Sequence, residues 1–188
     1  MSHPAPDSTR LTEIEVVDRV LEAHARVLGN DLPGYRNHVY RVINFCVRLA
    51  GVEDDACASG KIAVAAVHHD LGIWTHGTFD YLSPSVDLAR AHLAETGLAS
   101  WDAEVTAMIL EHHRVRSYGG PGGTLVEPFR RADWVDVTAG LCRFGVPRRE
   151  VRGLYAIWPS AGFHARLVHL TWTRARTHPW SPLPMLRF

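Results

Sequence analysis

Histidines and aspartates recur beside apolar segments of this sequence, and both residue types bind metals and transfer protons. The stretch "VAAVHHDLGIW", residues 64–74, places two histidines and an aspartate directly after an apolar run. A second pair, His112–His113, follows another apolar segment, and Asp133 and Asp136 lie about one helical turn apart further along. Either these polar side chains hydrogen-bond one another within a core, or they converge on a bound ion.

The composition indicates a globular protein with a single sizeable core. The chain has 188 residues, of which 46% are hydrophobic and 21% are charged, a length that suits one domain. Twenty basic and twenty acidic residues balance, so no positive surplus predicts binding to a nucleic-acid polymer or to a membrane. Three widely spaced cysteines predict reduced thiols and a cytoplasmic location. The oligomeric state is left open.

Apolar residues repeat at helical spacing along most of the chain, with glycine and proline between the repeats. This pattern predicts an all-α fold, a single compact domain of about seven or eight helices. We expect a flexible N-terminus over residues 1–10, the helical domain over 11–178 and a proline-rich, extended tail over 179–188. Acidic residues at 53–55 predict the start of the helix that contains "VAAVHHD", and Ser83-Pro84 predicts the start of the next helix.

The polar residues fall on separate predicted helices. His38 lies in register with the apolar stripe of its helix, and Asp133 lies on a later one. Ligands from several helices that converge on one point are what a metal in a helical core requires. Adjacent helical residues point about 100° apart, so His69 and Asp70 can bind one ion only near the helix edge or at a distorted helix end.

Three short motifs occur in order: "HxxRV" at 38–42, "HD" at 69–70 and "ADW" at 132–134. Together they resemble the HD superfamily of metal-dependent phosphohydrolases, over a core of about residues 35–140. The resemblance implies an HD-domain-like fold and one divalent cation, which could be Fe, Mn, Ni, Co, Zn or Mg. The implied metal ligands are His38, His69, Asp70 and Asp133. Asp136 would then support a ligand or the fold.

The HD superfamily also contains members with two metals. These add a histidine just before the helix that follows the "HD" helix, and they add an "HH" pair. This chain keeps the pair at His112–His113, but Ser85 stands where the additional histidine would fall. We therefore expect one metal ion, with a second one possible. A di-iron oxygenase or a small-molecule hydratase remains an alternative, and a non-catalytic metal-binding or regulatory module is a second.

The resemblance implies a hydrolase that uses a metal-activated water on a small phosphorylated molecule such as a nucleotide, by phosphomonoesterase or phosphodiesterase chemistry. The candidate catalytic residues are His112, His113 and Asp70. Side chains near the ligands could bind the substrate, because an arginine can meet an anionic group and an aromatic loop can form a pocket wall. The candidate substrate-binding residues are Trp74, His76, Arg114 and Arg131.

Overall fold

The regular structure is helical throughout the part of the chain that the computed structural model describes, residues 10–121, 123–180 and 185–186. Eight helices there have nine or more residues, which confirms the predicted all-α domain. The helices are α1 (Glu15–Ala23), α2 (Ala25–Leu28), α3 (Leu32–Ala50), α4 (Ala56–His68), α5 (Gly72–Thr75), α6 (Leu82–Glu95), α7 (Asp102–Glu111), α8 (Val126–Val137), α9 (Arg148–Ile157) and α10 (Phe163–Thr177). Short 3-10 turns at Gly29–Asp31 and Ala99–Trp101 precede α3 and α7.

Four of these helices pack in a closed ring. Helix α3 packs against α4 and, most extensively, against α8; α4 also packs against α7, and α7 against α8. Helix α1 packs against α4, and α6 packs mainly against α7 and also against α4. The ring encloses one apolar core, because each of its helices turns buried aliphatic or aromatic side chains inward; examples are Val39, Ile43, Ile62, Val67, Met108, Ile109, Phe129 and Val135.

Local sequence signals explain several helix boundaries. Asp55 caps α4 by accepting a hydrogen bond from the backbone N–H of Ala58 at 3.0 Å, which confirms the predicted start of that helix. Gly51 ends α3 in the left-handed conformation, with φ of 66°. The predicted start of α6 at Ser83-Pro84 is wrong: the helix begins at Leu82, and no side chain caps it.

A second, smaller apolar cluster lies beside the ring and includes one residue of the C-terminal tail. It consists of Ile73, Phe79, Tyr81, Leu82 and Met185, and Met185 is 5% exposed. The tail therefore packs on its own domain at this position. Residues 1–9, on which the predicted flexible N-terminus falls, and residues 122, 181–184 and 187–188 lie outside the described ranges.

The structure also bears on the cysteines and on membrane-spanning segments. The three cysteines carry free thiols; Cys46 is buried and the other two are exposed. None of the helices in the described ranges is long and apolar enough to cross a membrane.

The segment after α4 makes a close backbone approach to the start of α6. The backbone N–H of Gly72 donates a hydrogen bond to Ser85 Oγ at 3.1 Å. A Cβ atom at Gly72 would lie 2.6 Å from the Tyr81 carbonyl oxygen and 2.9 Å from Ser85 Oγ. Glycine is therefore required at position 72 because no larger residue fits between the two segments.

We expect the substitution Gly72→Ala to lower the free energy of unfolding by about 1–3 kcal/mol, because the added methyl group forces the two segments apart. Gly119→Ala is the matched control, since a Cβ atom there meets nothing within 4 Å and the backbone does not have a positive φ. Thermal and urea unfolding measure both. Equal stability of the two variants would contradict the close packing at Gly72.

Candidate metal centre

Four side chains converge at the centre of the helical ring. His38 comes from the middle of α3 and Asp133 from α8. His69 and Asp70 come from the turn that follows α4, because that helix ends at His68. All four are at most 2% exposed. Because the helix ends here, the adjacent His69 and Asp70 can face the same point. The sequence predicts that such a pair requires a helix edge or a distorted helix end, and the structure places the pair just after a helix end.

The distances among these four side chains suit a common ion. The Nε2 atoms of His38 and His69 are 3.0 Å apart. Asp70 Oδ2 lies 3.6 Å from the former nitrogen and 3.5 Å from the latter, and Asp133 Oδ1 lies 3.7 Å from each. Ligand atoms about 2.1 Å from one cation are separated by roughly 3.0–3.5 Å when they are neighbours in its coordination sphere. His38, His69 and Asp70 form a group whose ligand atoms could hold a metal ion.

The other ring nitrogens show which atoms of the two histidines are available for a metal. His38 Nδ1 lies 2.6 Å from Asp136 Oδ2, and His69 Nδ1 lies 2.7 Å from the Ala66 carbonyl oxygen. Both partners are acceptors, so both Nδ1 atoms carry the proton and both Nε2 atoms present lone pairs. Two lone pairs that face each other at 3.0 Å require a proton or a cation between them.

Buried polar atoms without a hydrogen-bond partner surround the same point. They are Asp70 Oδ1, both carboxylate oxygens of Asp133, and His112 Nε2. Buried acceptors are almost always satisfied in proteins, because leaving one unpaired costs about 1–3 kcal/mol or more when it is charged. These residues therefore fit a divalent cation, which would pair lone pairs that the described protein atoms leave open.

The electrostatics of the cluster favour positive charge at its centre. Burial by itself lowers the pKa of His69, but the carboxylates of Asp70 and Asp133 outweigh it and raise that pKa to about 9. Burial likewise opposes ionisation of Asp70, yet His69, followed by His112, brings the pKa of this carboxyl well below its usual range. Without a metal, the cluster retains a proton that a bound cation would replace.

His112 extends the cluster on the other side of Asp70. Its Nδ1 lies 2.7 Å from the Ile109 carbonyl oxygen, so its unpartnered Nε2 presents a lone pair. That Nε2 is 3.5 Å from Asp70 Oδ1. The Asp70 carboxylate thus turns one oxygen towards His38 and His69 and the other towards His112. Asp70, His112 and His113 form a second group that could hold a metal ion.

The two ring nitrogens of His113 have different partners from those of His112. Its Nε2 lies 2.6 Å from the Tyr81 hydroxyl, and its Nδ1 lies 3.5 Å from Asp133 Oδ2. Burial, with a further contribution from His112, lowers the pKa of His113 to about 3, so the ring is neutral. Burial also raises the pKa of Tyr81 well above its usual value, and Asp70 raises it further, so the phenol keeps its proton.

Asp136 supports His38 from behind, as the sequence allowed. Besides its bond to His38, the Asp136 carboxylate is paired through both oxygens with the guanidinium of Arg41. Arg41 also donates to the carbonyl oxygens of Trp158 at 2.7 Å and Pro159 at 3.1 Å. Sequence reasoning gave Arg41 no role of its own; its position three residues after His38, on the same helix face, was the available signal.

The four candidate substrate-binding residues all bond to groups outside the ligand cluster. Trp74 Nε1 donates to Asp31 Oδ2 at 2.9 Å, and the exposed His76 contacts the neighbouring Thr75 hydroxyl. Two arginines are ion-paired with acidic residues of their own segments: Arg114 with Glu111 and Arg131 with Glu127. In the described ranges, no hydrogen bond or ion pair joins any of the four candidates to a metal-ligand candidate.

His68, the third member of the polar triplet in residues 68–70, faces away from the cluster. Its Nδ1 bonds to the Val64 carbonyl oxygen, and its ring lies 5.2 Å from that of His92. Burial lowers the pKa of His68 to about 4, so this ring is neutral. His68 belongs to the packing between α4 and α6.

No protein family model, no curated protein and no solved structure matches this chain. What the structure defines is an all-helical domain with a buried cluster of histidines and aspartates that could bind a metal ion.

We expect Asp70→Asn to abolish tight metal binding, because it removes the negative charge that lies between the His38–His69 pair and His112. Metal at about 100 times its dissociation constant should stabilise the wild-type chain by about 2.7 kcal/mol, a rise in Tm of roughly 5–10 °C for a domain of this size. The Asp70→Asn variant should show no such rise. Asp87→Asn, which alters an exposed carboxylate on α6, is the control, and full metal occupancy in the Asp70→Asn variant would refute the assignment.

We expect Asp136→Asn to weaken metal binding by about 10–100-fold without changing the number of ions, because it removes the anionic partner of His38 Nδ1. Titration of the metal-free protein with Mn²⁺ or Co²⁺, followed by calorimetry, measures both quantities. Unchanged affinity would show that Asp136 serves the fold alone.

Proposed function

We propose that this protein is a metal-dependent hydrolase of the HD type that acts on a small phosphorylated molecule. The observation that supports the proposal is the convergence of His38, His69, Asp70 and Asp133 at one buried point. These residues occur in the order and motifs that resemble the HD superfamily, and each motif stands on a separate element of the helical ring.

The ligand chemistry narrows the choice of ion. Two imidazole nitrogens and two carboxylate oxygens form a mixed set that suits Mn²⁺, Fe²⁺, Co²⁺, Ni²⁺ or Zn²⁺ better than Mg²⁺, which prefers oxygen ligands. Such an ion supplies Lewis acidity: it lowers the pKa of a water and neutralises negative charge on a phosphoryl group.

The chain's own residues would orient the reactants and accept a proton from the attacking water. His38 and His69 are fixed through their Nδ1 atoms, so their Nε2 atoms need not reorient during the reaction. Asp70 Oδ1 and His112 Nε2 are acceptors with no partner. His112 is the better candidate to take a proton from an attacking water, because the low pKa of Asp70 makes its carboxylate a weak base. His113 is the least buried of the histidines at the centre, with 17% of its side chain exposed, and is placed to meet a substrate that enters the site.

Charge on the substrate would be met first at the metal. Arg114 and Arg131 are each paired with an acidic neighbour, which neutralises much of the positive charge that they could offer a phosphate, although Arg114 Nε retains a free donor. This favours a small substrate whose phosphoryl oxygens approach the ion directly. Balanced net charge and free cysteines support a cytoplasmic enzyme with no nucleic-acid or membrane partner.

A two-metal enzyme, such as a di-iron oxygenase, is the second candidate. The observation that favours it is the position of Asp70, whose two oxygens face different histidine groups, as a bridging carboxylate does. Two ions per chain and turnover that consumes oxygen would support this candidate over a hydrolase.

The test combines a metal count with a substrate panel. The full chain is purified without chelators or a nickel column, its metals are identified, and phosphomonoesters and phosphodiesters, including nucleotides, are assayed. We expect at least one transition-metal ion per chain and phosphate release that stops in the Asp70→Asn variant but continues in Asp87→Asn. Bound metal without hydrolysis of any phosphoester would refute the phosphohydrolase proposal, and absence of metal would refute the metal centre itself.

A further inference from the structure

Tyr81 is a buried polar residue beside the metal centre to which the proposed function gives no role. It directly precedes α6, is 1% exposed and packs in the small apolar cluster with Met185. Its hydroxyl nevertheless points out of that cluster and meets His113 Nε2 at 2.6 Å. A hydroxyl so deeply buried needs a partner, and the partner here is a histidine of the candidate site.

The second nitrogen of His113 fixes the direction of this hydrogen bond. His113 Nδ1 faces Asp133 Oδ2 at 3.5 Å, and a carboxylate oxygen offers only lone pairs. Nδ1 must therefore carry the hydrogen, since a lone pair there would face the carboxylate. Nε2 is then the acceptor, and the Tyr81 hydroxyl donates to it. His112 and His113 thus both carry their hydrogen on Nδ1. His113 turns that N–H towards Asp133 in the site, whereas His112 turns the lone pair of its Nε2 into the site.

Asp133 is the residue that this arrangement orients. Its Oδ1 faces the Nε2 atoms of His38 and His69, whereas its Oδ2 faces His113. Neither oxygen has a hydrogen-bond partner, so no hydrogen bond prevents the carboxylate from rotating. Closing the gap to His113 by about half an ångström makes a normal hydrogen bond and keeps Oδ1 aimed at the ion.

We propose that Tyr81 is a positioning residue that acts through His113 to hold Asp133 in its ligating orientation. The inference rests on the proposed metal centre and gives His113 a task different from that of a ligand. Tyr81 selects the His113 tautomer, His113 anchors the outer oxygen of Asp133, and the inner oxygen binds the ion.

A double-mutant cycle tests the chain of contacts. The affinity of the metal-free full chain for Co²⁺ is measured for the wild type, Tyr81→Phe, His113→Ala and the double variant. We expect each single variant to bind Co²⁺ about 10-fold more weakly, as for other residues that orient a ligand. The double variant should be no weaker than His113→Ala, because Tyr81 has no effect without His113. Additive losses would show that Tyr81 acts by a route other than His113, through its packing or its proximity to Asp70, and would overturn the inference.

Two controls separate positioning from other roles. Tyr40→Phe also removes a buried tyrosine hydroxyl, but one that bonds to Asp18 rather than to the site, and it should leave the Co²⁺ affinity unchanged. His113→Asn retains an amide N–H near the position of Nδ1, so it should recover part of the affinity that His113→Ala loses. Equal losses in His113→Asn and His113→Ala would contradict anchoring through Nδ1–H.

Two further measurements test the inference: the number of bound Co²⁺ ions and the protonated nitrogen of His113. His113→Ala should bind as many Co²⁺ ions as the wild type; one ion fewer would make His113 a ligand and overturn the inference while the metal centre stands. ¹⁵N spectra of the zinc-loaded wild type should show His113 protonated on Nδ1, and protonation on Nε2 would also overturn it. A wild-type chain that binds no metal would instead refute the proposed function together with this inference.

Discussion

The close approach of two imidazole nitrogens governs the centre of this protein. His38 and His69 bring their Nε2 atoms within 3.0 Å of each other, although hydrogen bonds at both Nδ1 atoms leave a lone pair on each. Two carboxylates surround them at less than 4 Å. Such an arrangement of acceptors in a core is favourable only around positive charge, because buried acceptors without donors are costly. The helical ring therefore holds a site that requires positive charge, which a proton on His69 or a bound cation could supply.

The ends of two ring helices create this geometry in the same way. His69 follows the end of α4 and bonds through Nδ1 to the carbonyl oxygen three residues earlier, at 2.7 Å. His112 follows the end of α7 and makes the same bond to Ile109 at the same distance. In each case a carbonyl that the helix leaves without an internal partner fixes the ring and turns Nε2 towards Asp70. The unsatisfied carbonyls at the helix ends thus serve to orient the metal-ligand candidates.

Apolar spacing and capping residues are local signals, so the sequence predicted the helical class and the boundary at Asp55. The expected convergence of His38, His69-Asp70 and Asp133 came from their places on separate predicted helices and from the order of the motifs in the resemblance. The sequence did not predict what depends on packing between elements. The role proposed for Tyr81 depends on α6 beginning one residue before Ser83-Pro84 and on the tight approach at Gly72, neither of which has a periodic signal. The ion pairs of Arg114 and Arg131 depend on side-chain choices at the surface, where several partners compete at similar energy.

The supports of the site extend beyond the segment that carries the motifs. Asp136 holds His38, and Arg41 holds Asp136 while donating to carbonyl oxygens at residues 158 and 159. The backbone oxygen of Asp136 also accepts hydrogen bonds from Tyr155 on α9 and His164 on α10. Because Arg41 and Asp136 are fully buried, each needs the other and the C-terminal carbonyls to satisfy its charge and its hydrogen bonds. The junction of α9 and α10 is therefore a structural support of the candidate metal centre, since it fixes the Nδ1 partner of His38.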